Sequence, residues 1–105
     1  MACIELHTFS SLNAEFLKLY YQSMLSADIA YVYYNIETIK HKRLENITEQ
    51  DVYNAFGTSN VKVFTSSDDL KNQLFSENWD NSNLLMMSSG NFDGLDFDSI
   101  ANKIV

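Results

Sequence analysis

Proline is absent from this 105-residue chain, cysteine occurs once and glycine three times. Without proline there is no proline-rich linker and no proline-dependent recognition motif. A lone Cys3 closes no internal disulfide, and its isolation points to a reducing compartment. No apolar run approaches the ~20 residues of a membrane span, and no basic segment leads into an apolar one as in a signal peptide. These absences predict a cytoplasmic protein with no membrane partner.

Positive charge is also scarce. Seven Lys and Arg stand against 14 Asp and Glu, a formal net charge of −7. Nucleic acid and anionic lipid are bound chiefly through Lys and Arg, so neither is an expected partner. The glycine-rich phosphate motifs are missing too. No G-x-x-x-x-G-K-[ST] exists to cradle a triphosphate, and the G-x-G-x-x-G fingerprint is replaced by His7-Thr8-Phe9-Ser10-Ser11. Two histidines and one cysteine, scattered in sequence, exclude a structural zinc site of ordinary spacing. Asp93, Asp96 and Asp98 lack the later glutamate of a calcium loop and read as helix caps. Ser88 and Ser89 lie outside any G-x-S-x-G elbow, so they suit hydrogen bonding rather than nucleophilic attack. No catalytic residue and no metal ligand is assigned.

What remains is material for a core. Apolar residues make up 46% and aromatics 13%, enough for one packed domain spanning 1–105. A chain of this length buries roughly two-thirds of its unfolded surface. Leu84-Leu85-Met86-Met87 reads as a short central strand buried on both faces. It stops in the polar turn Ser88-Ser89-Gly90-Asn91, and Leu95 to Val105 then reads as a helix.

Upstream segments repeat that pattern. Residues 1–7 form a first strand, and Thr8 to Ser11 is a polar turn. Leu12, Phe16, Leu19, Tyr20 and Met24 recur at helical spacing through about Ala27. Ile29 to Tyr34 is β-branched and aromatic, a second strand. Asn35 to Asn46 reads as a solvated loop; its Lys40, His41, Lys42 and Arg43 leave open an anion-contacting patch. Thr48 with Asp51 forms a capping box for a helix over Val52, Ala55 and Phe56, which Gly57 ends. Val61 to Phe64 is a third strand; Thr65, Ser66 and Ser67 offer caps for a helix over Leu70, Leu74 and Phe75.

Strand and helix alternate, which predicts an α/β, Rossmann-like three-layer sandwich: a mainly parallel sheet of about four strands with helices on both faces. In the order 3-2-1-4, winding reverses between the first and fourth strands. The turns leaving those strands, Thr8 to Ser11 and Ser88 to Asn91, then share one crevice. His7 lies at its edge, either a substrate contact or a half-exposed polar residue.

Two stretches carry a more specific likeness. Glu5-Leu6-His7-Thr8-Phe9-Ser10-Ser11-Leu12-Asn13 and Leu84 to Leu95 together resemble the carboxy-terminal domain of a Mur ligase. The closest likeness is to the branch that joins UDP-N-acetylmuramate to a cell-wall peptide, the L-alanyl-γ-D-glutamyl-meso-diaminopimelate tripeptide, in peptidoglycan recycling. His7 matches the histidine of the family's E-P-H-[RT]-[FY]-[ST] turn, and Ser88 to Asn91 match its second cleft-facing turn. Thr8 and Ser11 stand where related ligases often carry arginines. The D-N-P-R motif of the diaminopimelate-adding enzymes cannot exist without proline.

The resemblance implies a fragment of a three-domain bacterial enzyme in which a carboxylate is activated as an acyl phosphate and captured by an amine. ATP and magnesium would be held mainly by a central domain and the UDP-sugar by an amino-terminal one, both missing here. This chain alone would be inactive; it would hold the incoming peptide and close the cleft. The expected substrate-holding residues are His7, Thr8, Ser10, Ser88, Ser89, Asn91 and Asp93. The competing expectation is a freestanding small acidic α/β interaction or receiver-like signalling module. A third, a small nucleotide-binding enzyme, is opposed by the charge and the missing glycine loops.

Overall fold

The computed structural model describes residues 1–8, 12–43, 45 and 47–104, with the side chains of 14 and 104 left aside. It contains a four-stranded, all-parallel sheet in the order β3-β2-β1-β4. In chain order the elements are β1 (Ala2–Glu5), α1 (Ala14–Leu17), a 3₁₀ turn (Lys18–Tyr20), β2 (Ala30–Tyr33) and α2 (Ile36–His41). There follow α3 (Glu49–Phe56), β3 (Val61–Phe64), α4 (Ser67–Ser76), β4 (Leu85–Met87) and α5 (Phe97–Ile104). This is the predicted Rossmann-like α/β architecture, with winding reversed between β1 and β4.

Alternation along each strand divides the core in two. Ala30 and Val32 of β2, and Tyr34 just after it, join Leu12, Leu17, Ile39, Val52 and Phe56 on the face covered by α1 to α3. Tyr31 and Tyr33 point the other way, with Cys3, Leu70, Leu74, Trp79, Phe92 and Ile100 beneath α4 and α5. The chain steps from β1 to β3 in one direction under one helical layer. It then returns past the sheet to β4 under the other, as a single crossover hand requires.

Local chemistry accounts for most boundaries. Thr48 and Asp51 form the predicted reciprocal capping box, with bonds of 3.0 and 3.1 Å. Ser66 caps α4 through the Asp69 amide, and Asp96 accepts from the amides of Asp98 and Ser99 at the start of α5. Gly57 ends α3 at φ +69°, donating to Tyr53 O. A Cβ built there would sit 2.2 Å from Tyr21 Cε2. Gly57→Ala should therefore cost roughly 2 kcal/mol, combining left-handed strain with displacement of the Tyr21 ring. Urea unfolding should show a lower midpoint at unchanged slope.

Three expectations are corrected. The helix expected to run to about Ala27 stops after one α-turn and a 3₁₀ turn. The amide of Gln22 donates 2.9 Å to Phe56 O, so a tertiary bond takes the donor that a continuing helix needs. The loop expected at Asn35 to Asn46 contains α2, capped by the Asn35 side chain on the Glu37 amide at 2.8 Å. Only Ile39 anchors α2 in the core, and one apolar residue produces no periodicity. Finally, β4 is an edge strand rather than a central one, and Leu85 is 57% exposed. The strand buried at all four positions is β2.

Candidate functional site

The switch point between β1 and β4 opens at the carboxyl ends of both strands, where ligands sit in open parallel sheets. Ile4, Glu5, His7, Thr8, Tyr20, Met87, Ser88 and Ser89 line a groove there of about 230 Å³. The parallel register Ile4↔Met87 brings the two exits together. His7, Thr8, Ser88 and Ser89 thus share one concavity. Ser10 lies outside the described residues.

Asn91 and Asp93 do not line this groove. The Asn91 side chain turns back to accept from the Gly94 amide at 3.2 Å. Asp93 faces the α4–α5 side, accepting from the Tyr33 hydroxyl and, at 3.0 Å, from the Asn35 side-chain Nδ2. Burial, and then this bond, pushes the Tyr33 phenol well above its ordinary range.

The organiser of the site is Glu5, absent from the expected set. It is the one buried charged residue among the described residues, at 6% exposure. Its Oε1 accepts from the Ser88 hydroxyl and, at 3.0 Å, from the Phe92 amide. The Ser88 oxygen in turn accepts from the Gly90 amide at 2.7 Å. His7 Nδ1 lies 3.9 Å from Glu5 Oε2. A carboxyl from β1 therefore fixes the turn leaving β4, and Ser88 is spent on that anchoring. Thr8, Ser89 and the His7 ring line the groove beside it.

The turn so anchored is unusual. Phe92, Asp93 and Gly94 all take left-handed conformations, at φ +53°, +56° and +85°. Phe92 is nevertheless buried, stacked on Tyr33 at 6.1 Å and meeting Phe97 edge-on. Gly90 is a close-approach glycine, since a Cβ there would stand 2.9 Å from Glu5 Oε1 and 3.2 Å from the His7 ring. Cys3 takes no part. Burial, and secondarily Glu5, pushes its thiol up to about 12, which leaves it inert.

A second concavity adjoins the first across His7. His7, Glu37, Thr38, Lys40, His41 and Lys42 line an open groove of about 680 Å³ between the β1 exit and α2. The only sequence signal for it was the run of cations from Lys40 to Arg43. Among the described residues no group of three or more His, Cys, Asp or Glu could hold a metal ion, and no helix is long and apolar enough to cross a membrane.

Fold and groove together define an open α/β domain of Rossmann strand order with a small polar site at its switch point. The chain matches no protein-family model, no curated protein and no solved structure.

Proposed function

We propose that this chain is the substrate-holding, cleft-closing domain of an ATP-dependent amide ligase that joins UDP-N-acetylmuramate to a cell-wall peptide. The supporting observation is the switch-point groove, to which the two stretches carrying the resemblance contribute His7 and Thr8 from one side and Ser88 and Ser89 from the other. Such a groove presents hydroxyl and imidazole groups without a phosphate loop, which suits holding a peptide while another domain binds ATP and magnesium. Closure over the cleft would exclude water from an acyl phosphate and hold the amine in line.

The test is a titration of the ¹⁵N-labelled chain with L-alanyl-γ-D-glutamyl-meso-diaminopimelate, followed by amide shifts. Saturable changes at Thr8, Ser88 and Ser89, reduced several-fold by Ser89→Ala, are expected, with no ATP hydrolysis by the chain alone. Absence of any shift at millimolar peptide, or turnover without other domains, would overturn the reading.

A freestanding interaction module has one observation in its favour. Phe16, Leu19, Tyr21 and Leu25 are all at least 42% exposed along one short stretch of sequence, and exposed apolar groups are what a contact surface uses. The receiver-like form of that alternative fits less well, because its strand order is 2-1-3-4-5 rather than 3-2-1-4.

A further inference from the structure

We propose that the groove between the end of β1 and α2 binds the phosphate group of a phosphorylated small molecule. This goes beyond the ligase reading and does not depend on it. The first ground is the distribution of a scarce resource. In a chain with 7 Lys and Arg, 2 His and a net charge of −7, one groove gathers both histidines and two of the lysines. Basic residues in the last turn of a helix ordinarily complement its dipole, which accounts for Lys40 and His41 on α2. It does not account for His7, which joins the same groove from the segment leaving β1.

The donor set suits a tetrahedral oxyanion. Ammonium groups, imidazole N–H groups and the Thr38 hydroxyl are point donors that can serve three phosphate oxygens from different directions. Two carboxylates already face these cations: Glu37 pairs with Lys40 at 3.6 Å, and Glu5 Oε2 lies 3.9 Å from His7 Nδ1. The Lys40 and Glu37 side chains are largely exposed, at 63% and 80%, so exchanging that pair for a ligand costs little.

Size and surroundings set the ligand class. About 680 Å³ lies within the range of small-molecule sites and far exceeds one phosphate ion. Through His7 the groove adjoins the one lined by Glu5, Thr8 and Ser89, where hydroxyl or amide groups of the same molecule can bind. The acidic remainder of the surface repels long polyanions, so nucleic acid is not the occupant.

The experiment is an NMR titration of the whole chain at low ionic strength with ribose 5-phosphate, inorganic phosphate and sodium chloride. Ribose 5-phosphate should give saturable shifts at His7 and from Thr38 to Lys42, with tighter binding than inorganic phosphate. The double variant K40Q/K42Q should weaken binding at least about tenfold and His7→Gln about threefold, whereas Lys62→Gln on β3 should leave it unchanged. Equal affinity for inorganic phosphate would assign the site to the free ion and overturn the proposal. So would shifts matched by chloride or spread over Lys62 and Lys103. These surface variants should melt like the parent, and the parent titration decides the matter without them. Failure here leaves the peptide titration at Ser88 and Ser89 unaffected, so the two readings fall separately.

Discussion

Trp79→Ala should lower the unfolding free energy by about 3–5 kcal/mol, the range for emptying a large buried aromatic site. Trp79 stands in the irregular connection between α4 and β4, yet only 8% of it is exposed. It packs in the cluster formed by Tyr31, Phe64, Leu70 and Leu74. Its indole N–H donates 2.8 Å to Leu74 O, in the last turn of α4. Carbonyls there have no partner within the helix, so the indole serves as a side-chain cap. Truncation removes both the packing and the cap. Against a total of roughly 5–15 kcal/mol for a small domain, such a loss brings the chain near its unfolding limit. Trp79→Phe separates the two contributions, keeping most of the volume and forfeiting about 1–2 kcal/mol for the bond. Because Trp79 is the sole tryptophan, the measurement is urea unfolding followed by far-UV circular dichroism. A loss under about 1 kcal/mol for the alanine variant would show that this connection is not part of the core.

The contrast between Trp79 and the strands shows which physics is visible in a linear sequence. Strand identity was legible because β-branched and aromatic residues cluster in β2 and β3. Alternation with helices then left few topologies, and 3-2-1-4 was among them. Caps were legible because their chemistry is local: Thr48 with Asp51, Ser66 and Gly57 each act within a few residues. What failed depended on partners far along the chain. The helix after β1 ends at an amide claimed by Phe56, 34 positions from Gln22. The apolar run at β4 gave no sign that, among the described residues, no strand lies on its outer flank. The groove shared by His7, Thr8, Ser88 and Ser89 could be anticipated because strand order alone brings those exits together. Glu5 could not. An acidic residue in a strand reads as its solvent-facing half, and only the fold shows that Ser88 and Phe92 close over it.

Glu5 is for that reason the residue whose replacement bears most directly on the site. Glu5→Ala should cost about 3 kcal/mol, combining a cavity with a buried Phe92 amide left without an acceptor. The consequence should also be local. Residues held at positive φ cost of order 1–3 kcal/mol each and persist only where surroundings enforce them. In the run Phe92 to Gly94 that enforcement comes from the Glu5 bond, the buried Phe92 ring and the Tyr33–Asp93 bond. Removing the first should release the turn before the rest of the domain unfolds. Hydrogen exchange at the Phe92 and Gly90 amides should accelerate well beyond that of β2, and the Ser89 response to peptide should fade. Glu5→Gln retains an amide oxygen that can accept both bonds, so it should cost only about 1 kcal/mol and keep the turn protected. The pair of variants thus separates an acceptor placed for geometry from a carboxylate needed for its charge. If Glu5→Gln proved as damaging as Glu5→Ala, charge would be the essential property, and the His7 ring at 3.9 Å would be its natural partner. If neither variant changed Phe92 exchange, the β4 turn would be held by its aromatic packing alone, and Glu5 would lose its place as organiser of the groove.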